Sequence, residues 1–170
     1  MKNIVLTGYM GSGKSTVGKA IAKDLSFHFI DMDNVINDRC GMSIQQIFDR
    51  FGEEYFRDLE TEVTADIAKN KFSVIATGGG VVLREKNLEL LRQNGYIFFL
   101  DTPLEVIENR MSLLAGRPLL MGKSPVQVQK HFNERKPFYE NHDFRIDTSH
   151  KKLSEVMATE ANFSNTWATL

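Results

Sequence analysis

The most constraining feature of the sequence is a glycine-rich run near its start, Gly8 to Ser15, which reads GYMGSGKS. It fits the pattern G-x-x-x-x-G-K-[ST], a phosphate-binding loop that joins a strand to a helix. The apolar run Asn3 to Thr7 predicts a buried strand before the loop, and apolar residues at helical spacing predict a helix from Lys14 to Leu25 after it. A plain connecting turn is the alternative, but both flanking elements match what the motif requires. We therefore predict a site for a nucleoside triphosphate.

Each residue type in this loop has a chemical reason. Glycines allow backbone angles that turn successive N–H groups towards one concavity, and the start of the helix adds its positive dipole end. Lys14 offers a positive charge to the β- and γ-phosphates, and the Ser15 hydroxyl can ligate Mg²⁺. The motif alone does not identify what receives the phosphate, because GTPase switches, ATPases and small-molecule kinases share it. The predicted nucleotide-binding residues of the loop are Gly11, Ser12, Gly13, Lys14, Ser15 and Thr16.

Strand-like and helix-like segments alternate along the rest of the chain. This alternation predicts an α/β protein with a parallel sheet and helices on both faces. A length of 170 residues fits one domain. An apolar stripe that stops at Gly52 predicts the end of a helix there. The five predicted strands are Asn3 to Thr7, Phe27 to Ile30 with Asp31 at its end, Phe72 to Ala76, Tyr96 to Leu100, and Phe144 to Ile146.

Composition and charge narrow the classes of partner. The formal net charge of −1 gives no overall attraction to nucleic acid or to an anionic membrane, so any bound anion must be held by local cations. The longest apolar stretches are too short to cross a bilayer. Cys40 is the only cysteine, which excludes an internal disulfide and fits a cytoplasmic protein. A strand-like run follows Met1 directly, so we expect no signal peptide.

Two aspartates follow the second predicted strand. Side chains two positions apart in a strand point to the same face, so Asp31 and Asp33 can both face the crevice at the carboxyl ends of the strands. Ligands of open α/β sheets bind in that crevice. One carboxylate can hold water on Mg²⁺, and the other can accept the proton of an attacking hydroxyl. The alternative is that Asp33 only caps the following helix.

Arginines and a triple glycine supply further candidates. Arg57 lies beside an apolar helical stripe, with Glu60 three positions on; a surface ion pair is the ordinary alternative to a ligand contact. The segment Gly78 to Gly80 follows a strand and can donate N–H groups, or it can be a flexible turn. Arg135 and Tyr139 lie one helical turn apart, so Arg135 can face the same cavity as Arg57.

A segment broken by Gly116 and Gly122 carries Arg117 and is preceded by Arg110. A mobile loop with arginines near the phosphates could close over the nucleotide, exclude water and stabilise the transferred charge. Solvated loop arginines are the alternative.

Taken together, these segments resemble the shikimate kinase family over nearly the whole chain, up to about Asp147. The family implies a three-layer P-loop NTPase fold, in which helices flank a five-stranded parallel sheet. It also implies a substrate-binding subdomain, at about residues 32–61, and a lid, at about residues 112–124, within a single kinase domain of residues 1–170. The matching segments are GYMGSGKS, Asp31-Met32-Asp33, Phe56-Arg57 with Glu60, Thr77 to Gly80, Arg117 to Leu120, and Arg135 to Tyr139.

The resemblance implies transfer of the γ-phosphate of ATP, with Mg²⁺, to the 3-hydroxyl of shikimate in aromatic amino-acid biosynthesis. Asp33 would hold the substrate hydroxyls and polarise the attacking one, while Arg57 and Arg135 would clamp the carboxylate. Arginine suits a carboxylate because its planar fork donates two parallel hydrogen bonds. For substrate binding, the resemblance further implies backbone contacts from Gly79 and Gly80 and pocket walls formed by Phe48 and Phe56. For the nucleotide and metal, it implies Mg²⁺ binding by Ser15 and, through water, by Asp31, and stacking of Arg110 on adenine. The implied catalytic residues are Asp33, Lys14 and, in the lid, Arg117.

Other functions remain open at this stage. A gluconate kinase would also need to recognise a carboxylate and hydroxyls, whereas a nucleoside-monophosphate kinase would need a base-reading pocket, for which the sequence offers no candidate. A non-catalytic nucleotide-binding module would have little use for a carboxylate clamp. The expected partners are shikimate and ATP, with no nucleic acid and no membrane, and the expected state is a cytoplasmic monomer.

Overall fold

The computed structural model describes residues 2–112 and 124–149. This part of the chain contains five strands and six α-helices, with one or two helices between successive strands, and a short 3₁₀ turn, Val81–Leu83, precedes the fourth helix. The strands are β1 (Asn3–Thr7), β2 (His28–Asp31), β3 (Ser73–Ala76), β4 (Gly95–Asp101) and β5 (Phe144–Asp147). The helices are α1 (Lys14–Leu25), α2 (Met32–Cys40), α3 (Ile44–Ile67), α4 (Glu85–Asn94), α5 (Leu104–Ser112) and α6 (Pro125–Tyr139).

The predicted strands are confirmed, with bounds that differ by at most one residue. One of the differences has a clear local cause. Phe72, predicted as the first residue of the third strand, has a φ of 55° and is therefore outside the extended region, so β3 begins at Ser73.

All five strands are parallel and lie in the order β2-β3-β1-β4-β5. After β1 the chain crosses to the edge strand β2 and returns to β3 beside β1. It then passes to the other side of β1, where β4 and β5 follow in order. The strand order therefore switches beside β1, where ligands of such sheets bind outside the carboxyl ends. The glycine-rich loop leaves β1 at this point and leads directly into α1.

Helices cover both faces of the sheet, which confirms the three-layer α/β class. Successive side chains of a strand point to opposite faces. Ile4 and Leu6 accordingly pack with Val17 and Ile21 of α1, whereas Val5 packs on the other side in a cluster with residues of α2, α3 and α4.

Two helices beyond β2 form one wall of the site. The Ser43 hydroxyl accepts a hydrogen bond from the Gln46 N–H, and the Gln46 side chain accepts one from the Ser43 N–H, so a capping box begins α3. The helix end predicted at Gly52 is instead a break within α3, because Gly52 has φ 82° and ψ 176° and helical geometry resumes directly after it. The break separates a half that carries Phe48 from a half that carries Arg57.

Among the described residues, no helix combines the length and the apolar character that crossing a bilayer requires. The division into a substrate-binding subdomain and a lid stays a prediction. Residues 113–123 of the predicted lid, with Arg117, lie outside the described residues.

Candidate active site

The glycine-rich loop has the backbone geometry that a phosphate cradle needs. Gly8, Gly11 and Gly13 all have positive φ, at 146°, 79° and 98°, which residues with side chains adopt only with strain. Gly13 is the N-cap of α1, and no side chain of the described residues caps that helix. The first N–H groups of α1 therefore face the loop together with the positive end of the helix dipole.

The side chain of Lys14 lies over this loop. Its ammonium donates hydrogen bonds to the backbone oxygens of Gly8, at 2.7 Å, and Tyr9, at 3.0 Å. The predicted phosphate-binding cation is thus held at the loop itself. Thr16 is exposed in the first turn of α1, on a shallow surface that it shares with Lys19.

Ser15 and Asp31 meet beside the loop. The Ser15 hydroxyl donates to Oδ2 of Asp31 at 2.6 Å, and Oδ1 of Asp31 accepts a hydrogen bond from the Asp33 N–H at 3.1 Å. Asp31 is therefore the N-cap of α2, and the suggestion that Asp33 serves only as the cap is wrong. Asp33 lies in the first turn of α2 rather than on the strand, yet both carboxylates line the same pocket.

The oxygens of Ser15 and Asp31 fit a magnesium site. Mg²⁺ prefers oxygen ligands and usually takes only one or two from the protein, with water and substrate phosphates completing its shell. A hydroxyl of the phosphate loop within hydrogen-bond distance of a carboxylate at the end of β2 matches that pattern. Throughout residues 2–112 and 124–149, no cluster of three or more His, Cys, Asp or Glu side chains offers a closed metal cage.

Two carboxylates converge over Gly78. A Cβ placed on Gly78 would lie 2.8 Å from Oε1 of Glu60 and 3.0 Å from Oδ1 of Asp33, so only glycine leaves room for both groups. Glu60 is 1% exposed. Burial raises the pKa of Glu60, and the charge of Arg57 acts in the opposite direction. The triple glycine is therefore a close approach of backbone to two acids, and not merely a flexible turn.

Arg57 forms an ion pair with Glu60, as the spacing allowed, but the pair is buried and not on the surface. Arg57 is 8% exposed, and its guanidinium bonds to Glu60 through Nη1 and to Glu53 through Nη2, the latter at 3.0 Å. The guanidinium also lies directly against Gly80, where a Cβ would be 2.5 Å from Cζ and 2.7 Å from Nη2. Its carbon lies 5.1 Å from the centroid of the Phe56 ring.

One pocket of about 410 Å³ collects these groups. Arg57 and Arg135 both line it, as the helical spacing of Arg135 and Tyr139 predicted. Of the residues named from the sequence, the pocket brings together Ser15, Asp31, Asp33, Phe48, Phe56, Arg57, Gly79, Gly80 and Arg135.

Arg110 lies on the nucleotide side, apart from this pocket. Its guanidinium donates to the backbone oxygens of Ser12, at 3.2 Å, and Thr148, at 3.4 Å. It thus connects the phosphate loop to the segment after β5. Stacking of Arg110 on adenine stays a prediction, and Arg117 lies outside the described residues.

The comparison with protein families identifies the chain. A family model described as shikimate kinase matches residues 10–163. The chain belongs to the shikimate kinase family. The shikimate kinase of Caldanaerobacter subterraneus subsp. tengcongensis is 48% identical over 157 residues, covering 92% of both chains. That of Thermodesulfovibrio yellowstonii is 47% identical over 157 residues, covering 92% of this chain and 91% of its own.

A solved structure of the family has the same fold. Shikimate kinase from Acinetobacter baumannii, determined in complex with shikimate, superposes with a TM-score of 0.87 at 34% identity, covering 97% of this chain and 94% of that one. Membership of the shikimate kinase family makes this chain an ATP-dependent kinase.

Sequence reasoning missed several residues of the pocket. Glu60 was named only as an ion-pair partner of Arg57, although it is itself a pocket carboxylate with one oxygen, Oε1, that has no hydrogen-bond partner among the described residues. Asn37 also lines the pocket, and its buried Oδ1 is likewise unpaired within the described ranges. The position of Glu60, three residues after Arg57 on one helix face, was the signal that could have found it. Nothing in the sequence singled out Asn37.

Proposed function

We propose that this chain transfers the γ-phosphoryl group of ATP to the 3-hydroxyl of shikimate, giving shikimate 3-phosphate and ADP, in chorismate and aromatic amino-acid biosynthesis. One observation carries the proposal. A single pocket holds an acid, Asp33, two arginines, Arg57 and Arg135, and Ser15 of the phosphate loop.

The pocket has the chemical complement of shikimate, which carries one carboxylate and three hydroxyls. Arg57 and Arg135 supply two guanidinium groups for the carboxylate. Arg57 is fixed before substrate arrives, because Glu60 holds Nη1, Glu53 holds Nε and Nη2, and Gly80 lets the guanidinium rest on the backbone. A clamp held in place by the protein loses little conformational entropy when it binds its ligand.

Asp33 is the proposed acceptor of the hydroxyl proton. The backbone of Asp33 is fixed by the hydrogen bond from its N–H to Asp31. The carboxylate of Asp33 lines the pocket. A carboxylate in hydrogen-bond reach of the substrate hydroxyl can orient that hydroxyl and take its proton as the new bond to phosphorus forms. Lys14 and the N–H groups of the glycine-rich loop would hold the phosphates in line.

Ser15 and, through water, Asp31 are the proposed magnesium-binding residues. When bound there, Mg²⁺ would neutralise charge on the phosphate oxygens. The roles of Thr16, Arg110 and Arg117 at the nucleotide, the monomeric state and the cytoplasmic location stay predictions from the sequence.

An ADP-release assay tests the proposal. Purified protein with ATP and Mg²⁺ is given shikimate, gluconate or a nucleoside monophosphate, and ADP formation is coupled to NADH oxidation. We expect turnover with shikimate and only background with the other two. Turnover with gluconate alone would replace shikimate by another small-molecule acceptor, and ATP binding without turnover on any of them would make the chain a nucleotide-binding module.

The variant Asp33→Asn tests the role of the acid, because it keeps the size of the side chain and removes its negative charge. We expect this variant to lose turnover with shikimate while it binds ATP as tightly as the unchanged protein. Retained kcat would remove Asp33 from the chemistry.

A further inference from the structure

Tyr139 ends α6 in a position that packing fixes closely. It is 3% exposed, and its ring lies parallel to the ring of Phe99 on β4, with an interplanar angle of 3° and 5.3 Å between centroids. A buried tyrosine hydroxyl needs a hydrogen-bond partner. The Tyr139 hydroxyl donates to the backbone oxygen of Gly79 at 2.5 Å.

Arg135 lies one helical turn before Tyr139 on α6. It lines the pocket together with Gly79 and Gly80. Burial raises the pKa of Tyr139 well above its usual value, although the positive charge of Arg135 acts to lower it, so the hydroxyl keeps its proton at neutral pH and remains a donor. Tyr139 and an arginine of the proposed carboxylate clamp therefore meet at the triple-glycine segment.

The bond to Gly79 fixes more than one carbonyl. A trans peptide is planar, and its C=O and N–H point in opposite directions. The oxygen of Gly79 and the N–H of Gly80 belong to the same peptide unit, so a carbonyl that points to Tyr139 sends the Gly80 N–H away from Tyr139. Gly79 is flanked by glycines, whose backbones have the least intrinsic restriction, so this peptide needs an external contact to hold its orientation.

We propose that Tyr139 is a positioning residue for substrate binding: its hydroxyl sets the direction of the Gly80 N–H and the place of the Arg135 guanidinium for the carboxylate of the substrate. The inference rests on the proposed function, because it assumes that this end of the pocket takes a carboxylate. Tyr139 itself does not act on the transferred group.

The variant Tyr139→Phe tests this role, because it keeps the ring on Phe99 and removes only the hydroxyl. A single net hydrogen bond between neutral groups corresponds to a roughly three- to ten-fold change in affinity. We expect the KM for shikimate to rise by this factor, with the KM for ATP and kcat within about two-fold of the unchanged protein. The matched control is Tyr96→Phe, which removes a tyrosine hydroxyl at the start of β4, the opposite end of the sheet, and is expected to change none of these constants.

A double-mutant cycle with Arg135→Ala separates positioning from a general loss of packing. If the hydroxyl acts through Arg135 and the Gly80 peptide, Tyr139→Phe should raise the KM for shikimate by a smaller factor when Arg135 is already absent. An equal factor in both backgrounds would overturn the link to Arg135. An unchanged KM for shikimate, or equal increases in the KM for both substrates, would overturn the positioning role as a whole.

Phe99→Leu provides a second route if Tyr139→Phe does not fold. It keeps the hydroxyl but removes the flat ring that aims it, so the KM for shikimate should again rise while the KM for ATP stays the same; no change would count against the proposal. Failure of this inference is distinct from failure of the proposed function. In the first case the unchanged protein phosphorylates shikimate and the variants match it, and in the second the unchanged protein does not phosphorylate shikimate at all.

Discussion

Gly80→Ala is expected to weaken shikimate binding through Arg57 rather than through the backbone of residue 80. Gly80 has φ −103° and ψ −3°, which alanine can adopt without a positive φ. The added methyl would nevertheless lie 2.5 Å from Cζ and 2.7 Å from Nη2 of Arg57, and nearer still to Nη1. Carbon–carbon contacts have their optimum near about 3.5–4.0 Å, so the guanidinium must move by roughly 1 Å or more.

The magnitude follows from what that displacement removes. A hydrogen bond to a charged group contributes roughly 1.5–3 kcal/mol, and each 1.4 kcal/mol is about ten-fold in affinity. Loss of one such bond between Arg57 and the substrate carboxylate predicts a rise of roughly ten- to hundred-fold in the KM for shikimate. The KM for ATP should change little, because Gly80 does not belong to the phosphate loop.

The assay is steady-state ADP release with each substrate varied in turn, for Gly80→Ala alone and in an Arg57→Ala background. Circular dichroism checks that every variant is folded at the assay temperature. Because the clash is with Arg57, the alanine at position 80 should have almost no further effect once Arg57 is absent. An unchanged KM for Gly80→Ala, or the same rise with and without Arg57, would refute this reasoning.

Three further predictions concern the metal site, the break in α3 and the buried hydroxyl of Tyr9. Ser15→Ala should raise the Mg²⁺ concentration needed for half-maximal rate, measured by titration at saturating ATP and shikimate; an unchanged titration would remove Ser15 from the metal. Gly52→Ala should lower the free energy of unfolding in urea by about 1–3 kcal/mol, because its φ of 82° and ψ of 176° suit only glycine; an unchanged value would show that the break is not strained. Burial raises the pKa of Tyr9 to about 12, while an unfolded tyrosine titrates near about 10. The stability that the protonated hydroxyl of Tyr9 contributes to the folded state is complete below about pH 10 and is lost as pH rises towards about 12. The free energy of unfolding should therefore fall less steeply over this pH range in Tyr9→Phe than in the unchanged protein. An identical fall in both proteins would contradict the raised pKa of Tyr9.

The fold could be predicted from the sequence because its signals are local. Short apolar runs and helical stripes identified every strand within a residue, and the spacing of the glycine-rich run placed the phosphate loop between β1 and α1. Gly52 shows the limit of such signals. Its position after an apolar stripe marks a change in the backbone, but the resumption of α3 directly afterwards depends on what the second half of the helix packs against.

The candidate site was predictable only in part. Residue type and order pointed to Asp33, Arg57 and Arg135. They did not show that Asp31 caps α2, because the hydrogen bond from the Asp33 N–H to the Asp31 carboxylate appears only in the folded chain. The burial of Arg57 was equally hidden, because the sequence shows its spacing to Glu60 but not the loop that covers both. That loop, Gly78 to Gly80, lies about twenty residues away in sequence and packs over them only in the folded chain.

A crystal structure of this chain with bound shikimate is the most direct test of the proposed substrate orientation. We expect the carboxylate to lie between the guanidinium groups of Arg57 and Arg135, and the 3-hydroxyl to lie within hydrogen-bond distance of Asp33 on the side of Ser15. Shikimate bound in the reverse orientation, or bound outside the pocket that these residues line, would contradict the proposal.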